Sequence, residues 1–395
     1  MAKTSVYKEP DGDLTPFLRG ILTQSLVNAG LSFEDAYQLA QDVRNGLKDT
    51  DKISTRQLKS RVTKLIEEKF GAKHAARYEQ KFTPGDITVH TPARSDAFSL
   101  SELTRSLSSY AIDYETASFG AEKVYEFLKK SGDREIDHKS LRHVIYNNLR
   151  EYCSKETANR YLSWRRFENS GMPLILIVGG ITGSGKSTIS TELAYKLNIV
   201  RTQSTDMLRE IIRSYLATPV APTLQYSTFE AWKGLPHPET SKDSELDNPL
   251  ITGFLSQLMT LKPALKAVIG RAITEQEHLI IEGVHALSSV LNLDEINQHA
   301  IVIPLMIATL DKKALKNRFI RRSTEQNERP SMRYVKNIDE IWTLQSYLLD
   351  VADHDGIPII NNTKLKSSVR EILELISAKI LSRFPPNPKL IINTD

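Results

Sequence analysis

Residues 180–187, Gly-Ile-Thr-Gly-Ser-Gly-Lys-Ser, constrain the fold of this chain more than any other stretch. They match the pattern G-x-x-x-x-G-K-S/T at every position, between an apolar run at 174–178 and a helical pattern at 188–197. Glycines allow the backbone to curl until successive N–H groups face a phosphate chain, and the positive end of the following helix adds to this attraction. The stretch therefore predicts a strand, a phosphate-binding loop and a helix.

This loop predicts ATP and Mg²⁺ as cofactors. Lys186 is expected to reach the β- and γ-phosphates, and the Ser187 hydroxyl to bind Mg²⁺. We expect these residues to hold the nucleotide: Gly180, Thr182, Gly183, Ser184, Gly185, Lys186, Ser187 and Thr188. The identity of the base stays open, so GTP is an alternative, and Asn361 and Asn362 are the candidates for reading it.

Composition narrows the protein class. A length of 395 residues favours two or three domains, and 40% hydrophobic and 25% charged residues are typical of a globular protein. A net charge of +4 gives no reason to expect a nucleic-acid or membrane partner, although it suits a small anionic substrate. The single cysteine, Cys153, excludes an internal disulfide and a cysteine metal site. We expect a cytoplasmic protein, and whether it forms a homo-oligomer stays open.

The residues before the phosphate loop contain an internal repeat. Leu-Thr-Gln-Ser-Leu at 22–26 reappears as Leu-Thr-Arg-Ser-Leu at 103–107, and apolar positions after it recur at the same offset. Each copy has the spacing of several short amphipathic helices. We therefore expect two mainly helical domains, at 1–82 and 87–167, with a linker or hairpin in the stretches 81–86 and 91–96.

From Pro173 onward, short apolar strands alternate with helical patterns. The candidate strands are 174–178, 199–204, 278–282, 300–307 and 357–360. Strands buried on both faces and separated by helices indicate a parallel sheet, so residues 173–385 are expected to form a doubly wound α/β fold of the phosphate-loop kinase type. Ligands of such folds gather at the carboxyl ends of the strands.

Polar residues follow the second and third predicted strands. Asp206 could orient an acceptor hydroxyl and Arg209 could bind an anionic group, or Asp206 could cap a helix while Arg209 is solvated. Glu282 follows the third strand directly and is expected to hold Mg²⁺ together with Ser187. His285 could contact the substrate or be a satisfied loop residue.

A basic stretch follows the fourth predicted strand. Arg318 and Arg322 are four residues apart and would share one face of a helix. Mobile lids over phosphoryl transfer supply such arginines to neutralise charge on the transferred group. An ordinary solvated basic face is the alternative, but we take Arg318 and Arg322 as catalytic candidates with Lys186, Asp206 and Arg209.

Each copy of the repeat resembles the ATP-cone, a small regulatory nucleotide-binding module. The first copy keeps the turn Val-Tyr-Lys-Glu-Pro-Asp-Gly at 6–12, in which the lysine, Lys8, and the following helix would hold phosphates. The second copy lacks this turn. The resemblance implies that the copies report the ATP level, whereas the alternative is that both are packing domains without a ligand.

The region from about 97 to 363 resembles the archaeal 2-phosphoglycerate kinases. The matching stretches are 160–166, 180–188, 204–210, 222–232 and 281–285. The segment 222–232, which runs from Pro-Thr-Leu to Ala-Trp, is the most distinctive. Its residues Thr223, Tyr226 and Ser227 are expected, with Asp206, Arg209 and His285, to bind the substrate. The resemblance implies that ATP phosphorylates the 3-hydroxyl of 2-phosphoglycerate to give 2,3-bisphosphoglycerate.

Two alternatives stay open at this point. The acceptor could be another anionic hydroxy acid, such as a mevalonate phosphate. An ATP-sensing regulator that binds the nucleotide without transferring phosphate is the alternative of a different class. Such regulators usually carry a cysteine zinc ribbon and a basic DNA-binding face, and neither is present in this sequence.

Overall fold

The computed structural model describes residues 4–7, 15–29, 31–47, 50–80, 87–92, 94–131, 135–236, 248–325 and 331–388. The chain divides into two compact units, one formed by residues 1–108, 112–162 and 387–395 and the other by 109–111 and 163–386. Within the described ranges, none of the helices combines the length and the apolar character needed to cross a bilayer.

Short strands and longer helices form the part of the chain before the phosphate loop. The elements are β1 (Ser5–Tyr7), β2 (Thr15–Pro16), α1 (Arg19–Asn28), α2 (Phe33–Gly46), β3 (Lys52–Ser54), α3 (Thr55–Phe70), α4 (Ala72–Gln80), β4 (Thr88–His90), β5 (Ser95–Ala97), α5 (Leu100–Ser109), α6 (Tyr114–Ser131), β6 (Glu135–Asp137), α7 (His138–Asn148), a π-helical turn (Leu149–Cys153) and α8 (Lys155–Glu168).

The internal repeat is also a repeat of topology. In the first copy β1 pairs antiparallel with β2 and parallel with β3, and in the second copy β4 pairs in the same two ways with β5 and β6. The central pairs are equivalent as well, since Val6 lies opposite Ile53 and Val89 lies opposite Ile136. Of the two alternatives at 91–96, a linker or a hairpin, the structure shows a hairpin, because β4 and β5 pair antiparallel. The stretch 81–86 and the turn residues 8–12 lie outside the described residues.

The second unit contains the remaining elements. They are β7 (Leu174–Gly179), α9 (Lys186–Lys196), β8 (Arg201–Ser204), α10 (Thr205–Tyr215), two 3-10 turns (Pro222–Gln225 and Thr228–Gly234), α11 (Pro249–Thr274), β9 (Leu279–Gly283), a further 3-10 turn (Ser288–Val290), α12 (Leu293–His299), β10 (Ile301–Ala308), α13 (Lys312–Glu325), α14 (Ser331–Lys336), α15 (Ile338–His354), β11 (Ile359–Asn361) and α16 (Leu365–Arg383).

These five strands form one parallel sheet in the order β11-β10-β7-β9-β8, as expected for an α/β fold. All six residues of β7 are buried, so both faces of the sheet are covered at its centre. Ile175 and Ile177 pack in one apolar cluster with Leu261 and Leu265 of α11.

The strand order determines where a ligand can bind. From β7 the chain moves through β8 and β9 on one side of the sheet, and later through β10 and β11 on the other side. The carboxyl end of β7 therefore lies where the winding changes direction, which is where open α/β sheets bind their ligands.

Candidate active site

Three glycines give the loop between β7 and α9 its shape. Gly180, Gly183 and Gly185 have φ angles of +146°, +85° and +90°. Residues that carry a Cβ atom rarely adopt such backbone conformations. A Cβ on Gly180 would lie 2.4 Å from the carbonyl oxygen of Ile307, and a Cβ on Gly185 would lie 2.3 Å from the amide nitrogen of Asn362. The glycine pattern is thus a steric requirement of this loop.

Side chains that follow β10 and β11 hold the carbonyl groups of this loop. The Arg318 guanidinium donates to the carbonyl oxygens of Gly183 (3.3 Å) and Ser184 (3.1 Å), and the Asn362 amide donates to that of Ser184 (2.8 Å). Because C=O and N–H point in opposite directions across a trans peptide, the N–H of Gly185 faces away from Arg318 and Asn362. The fully buried Oγ of Ser184 has no partner among the described residues.

Lys186 is the first residue of α9 and is 7% exposed. Its Nζ atom lies 3.5 Å from the carbonyl oxygen of Ile181, at the outer limit of a hydrogen bond. A buried ammonium group is costly unless an anion pairs with it. Lys186 and the unpartnered Ser184 hydroxyl therefore fit an anionic group such as a phosphate chain. Thr182 of the loop is half-buried, and Thr188 in the first turn of α9 is exposed.

Ser187 and Glu282 are brought together, as the sequence predicts. The Ser187 hydroxyl donates to Oε2 of Glu282 over 3.0 Å, although 95 residues separate the two along the chain. Sheet register explains this contact, because Glu282 lies opposite Val178 of β7 and Ser204 of β8. A hydroxyl and a carboxylate oxygen are ligands that Mg²⁺ accepts while it retains several waters.

Asp206 lies at the same edge of the sheet. It is the second residue of α10, directly after β8, and its side chain is exposed. A Cβ on Gly283, whose φ is +150°, would lie 1.8 Å from the Thr205 hydroxyl oxygen, so the end of β9 and the start of α10 are in close contact.

Arg209 is placed differently from the sequence expectation. Its guanidinium donates to the carbonyl oxygens of Leu224 (3.1 Å) and Tyr226 (2.8 Å) and pairs with Glu210 (2.8 Å). Only the buried Nε atom has no partner in the described part of the chain. The side chain thus binds the segment 222–226, and most of its donors are used by the protein itself.

The segment 222–227 presents its candidate residues unequally. Thr223 is 2% exposed and its hydroxyl lies 3.2 Å from that of Ser256 in α11, so this hydroxyl points into the protein. Tyr226 and Ser227 are half-buried. Of the three candidates in this segment, Tyr226 and Ser227 are therefore the accessible ones.

His285 is fully buried behind the site. Its Nε2 atom lies 3.0 Å from Oε1 of Gln257, and its ring stacks on Phe254 with centroids 5.7 Å apart. Burial lowers the pKa of His285 to about 4; the charge of Asp206 opposes this shift, whereas those of Arg209 and Lys186 add to it. The imidazole is therefore neutral above that pH, and it is a core residue next to the charges of the site.

Arg318 and the two asparagines bind groups of the protein itself. Arg318 reaches the phosphate loop, but its donors bind carbonyl oxygens and the Thr309 hydroxyl (2.9 Å). The side chain of Arg322 lies outside the described residues. Asn362 is occupied by Ser184, and Oδ1 of Asn361 accepts the N–H of Leu310 over 3.4 Å.

No protein-family model matches this chain. Curated relatives do match over most of its length. Proteins named 2-phosphoglycerate kinase from Pyrococcus furiosus, Pyrococcus horikoshii and Methanopyrus kandleri are 37%, 36% and 35% identical. The matched regions cover 71%, 72% and 72% of this chain and 90%, 91% and 85% of the relatives. The chain belongs to the 2-phosphoglycerate kinase family.

In this member of the 2-phosphoglycerate kinase family, sequence reasoning missed Gln257. This side chain is fully buried and binds both the segment 222–226 and His285. A signal for its burial exists, because Gln257 shares the apolar face of α11 with Phe254, Leu258 and Leu261. Its partners come from other parts of the chain, so the sequence offers no signal for them.

The loop geometry predicts that Gly183→Ala destabilises the protein. The new Cβ would lie 2.6 Å from the Phe319 ring at a φ of +85°, so the free energy of unfolding should fall by about 2 kcal/mol or more. Gly270→Ala is the matched control, because nothing lies within 4 Å of its Cβ and it is inside α11. The control should gain up to about 1 kcal/mol. Urea denaturation measures both, and equal stability of Gly183→Ala and wild type would refute the prediction.

Proposed function

We propose that this chain transfers the γ-phosphoryl group of MgATP to the 3-hydroxyl of 2-phosphoglycerate, which yields ADP and 2,3-bisphosphoglycerate. The observation that carries the proposal is the 3.0 Å hydrogen bond between Ser187 and Glu282, next to the buried Lys186. Family membership makes the chain a phosphotransferase, and the names of the relatives supply the acceptor.

Lys186 and the backbone amides of residues 180–187 would hold the β- and γ-phosphates. Ser187 and Glu282 would hold Mg²⁺, which when bound neutralises the charge that develops on the phosphates. Arg318 keeps the loop in shape through the carbonyl oxygens of Gly183 and Ser184. The reaction depends mainly on positioning and electrostatics, and these residues would supply both.

Asp206 would orient the acceptor hydroxyl. The hydroxyl oxygen forms a bond to the γ-phosphorus while the bond from that phosphorus to the β,γ-bridging oxygen breaks, and the hydroxyl proton passes to the Asp206 carboxylate. Asp206 is exposed and follows by two residues Ser204, which lies opposite Glu282, and both facts support this role.

The acceptor would lie along the segment 222–227. Tyr226 and Ser227 would contact its carboxylate or phosphate, and Arg322 would supply positive charge during transfer. Thr223, Arg209 and His285 would support this surface from behind, because each contacts other protein groups. The Nε atom of Arg209 is buried and has no partner among the described residues.

Purified protein with MgATP should release ADP in the presence of 2-phosphoglycerate. Asp206→Asn should lower kcat at least about 100-fold, because the carboxylate that accepts the hydroxyl proton is lost. Lys186→Ala should also lose transfer, and Asp353→Asn, on the exposed end of α15, is the matched control that keeps it. A coupled assay of ADP release measures all four proteins.

The same assay distinguishes the other acceptors. It should also contain 3-phosphoglycerate, glycerate, mevalonate and mevalonate phosphates. Turnover with a mevalonate phosphate and none with 2-phosphoglycerate would contradict the proposed acceptor while keeping the transfer chemistry. If the protein binds ATP but releases no ADP with any of these acceptors, a regulator is favoured over an enzyme.

The Ser187–Glu282 pair predicts how the Mg²⁺ requirement responds to mutation. Glu282→Gln removes a negative oxygen ligand, so the Mg²⁺ concentration for half-maximal rate should rise about tenfold or more. Glu192→Gln, the same substitution further along α9, should leave it unchanged. Titration of the rate with MgCl₂ at fixed ATP measures the shift, and an equal midpoint in both variants would exclude Glu282 as a ligand.

We further propose that residues 1–82 and 87–167 are ATP-cone-like domains in front of a phosphate-loop kinase domain at 173–385. The three strands β1, β2 and β3 pair in the same way as β4, β5 and β6, which supports a common module. The first copy would bind ATP through Lys8 and modulate the kinase, and such regulation requires two states that differ in ATP affinity.

The first copy should bind ATP independently of the phosphate loop. Lys186→Ala weakens the catalytic site, so calorimetry of that variant should show about one remaining ATP per chain if the first copy binds. Adding Lys8→Ala should abolish this binding, and adding Lys64→Ala, an exposed position of α3, should not. Absence of binding in Lys186→Ala would indicate that the copies are packing domains.

A further inference from the structure

The segment 222–226 is too short to satisfy its own backbone. It forms a single 3-10 turn, in which the Tyr226 N–H donates to the Thr223 carbonyl oxygen (3.3 Å), and side chains of two helices bind three of its carbonyl oxygens. Arg209 of α10 donates to the carbonyl oxygens of Leu224 and Tyr226, and Nε2 of Gln257 in α11 donates to those of Thr223 (2.6 Å) and Tyr226 (3.0 Å). The Tyr226 carbonyl therefore receives one bond from each helix.

These contacts fix the orientation of the Gln257 amide. A carbonyl oxygen only accepts, so the NH₂ group of Gln257 must face Thr223 and Tyr226. Oε1 then faces His285 and only accepts, so Nε2 of His285 must carry the proton of that 3.0 Å hydrogen bond. The neutral imidazole has a single N–H, and Gln257 consequently determines which nitrogen carries it.

Gln257 connects the loop after β9, which carries His285, with the segment 222–227. His285 follows Glu282 by three residues, on the loop after β9, where the charges of Lys186 and Asp206 reach it. Tyr226 and Ser227 lie on the segment that would receive the acceptor. Gln257 is itself 0% exposed, so it cannot touch a bound solute directly.

We propose that Gln257 is the positioning residue of the acceptor site: it fixes the segment 222–227 against the loop that carries His285, and thereby sets where Tyr226 and Ser227 meet the acceptor. This inference rests on the proposed kinase function. The role of Gln257 concerns the binding of the acceptor and not that of the nucleotide, because Arg318 and Asn362 hold the phosphate loop.

Gln257→Met tests this role, because methionine has a similar length and lacks donors and acceptors of comparable strength. We expect kcat/KM for 2-phosphoglycerate to fall about 10- to 100-fold, since the imidazole N–H of His285 loses its buried partner and the carbonyl groups of Thr223 and Tyr226 each lose one of their two donors. The Kd of ATP, measured without acceptor, should change less than about threefold. Lys266→Ala, an exposed position of the same helix, is the matched control and should change neither value.

Two substitutions of His285 test the network even where Gln257→Met does not fold. Glutamine can place an N–H where Nε2 of the imidazole lies, whereas asparagine is too short and reaches only the position of Nδ1. His285→Gln should therefore keep kcat/KM for 2-phosphoglycerate within about threefold of wild type, and His285→Asn should lose as much as Gln257→Met. Equal activity of the two variants, or a more active His285→Asn, would overturn the inference.

The outcomes also separate this inference from the proposed function. If the wild type phosphorylates 2-phosphoglycerate and Gln257→Met has the same kcat/KM, only the positioning role is refuted. A wild-type protein that leaves 2-phosphoglycerate unphosphorylated would remove both. A parallel rise in the Kd of ATP would show that Gln257 acts on the whole site and would likewise contradict a specific role in acceptor positioning.

Discussion

The carbonyl oxygen of Ser184 is the point on which the site depends. It accepts hydrogen bonds from Arg318 (3.1 Å) and Asn362 (2.8 Å), and these bonds turn the neighbouring N–H of Gly185 to the opposite side of the loop. Arg318 follows β10 and Asn362 follows β11, so the strands on one side of β7 provide the residues that hold the loop. A different strand order would leave the loop without this support.

The strands on the other side of β7 provide the chemistry. β9 ends in Glu282, which meets the Ser187 hydroxyl, and β8 leads directly into Asp206. Lys186 lies between the two groups of strands, buried and with a single weak acceptor among the described residues. Protein groups alone satisfy this ammonium poorly, and an anionic ligand would relieve the cost of its burial. The site is thus organised for a ligand that carries negative charge.

Much of this fold follows from local sequence. Each of the five strands lies within two residues of its expected position, because short apolar runs between helical patterns have few alternatives in a buried parallel sheet. The contact of Ser187 with Glu282 was predictable for the same reason, since parallel strands end at one edge. Glycine spacing predicted the loop, and the short distances from each missing Cβ explain why the spacing is strict.

The roles of the longer polar side chains could not be predicted in this way. Arg209 and Arg318 were expected to bind substrate or transferred phosphate, yet both donate mainly to backbone carbonyls far from them in sequence. A short segment such as 222–226 needs donors from elsewhere, because its single 3-10 turn pairs the Thr223 carbonyl and leaves those of Leu224 and Tyr226 to other parts of the chain. Which side chain supplies these donors depends on how α10 and α11 pack. The role of Gln257 therefore follows from the structure and not from the sequence. In the sequence, a polar residue on an otherwise apolar helix face, such as Gln257, indicates that a buried donor or acceptor is required there.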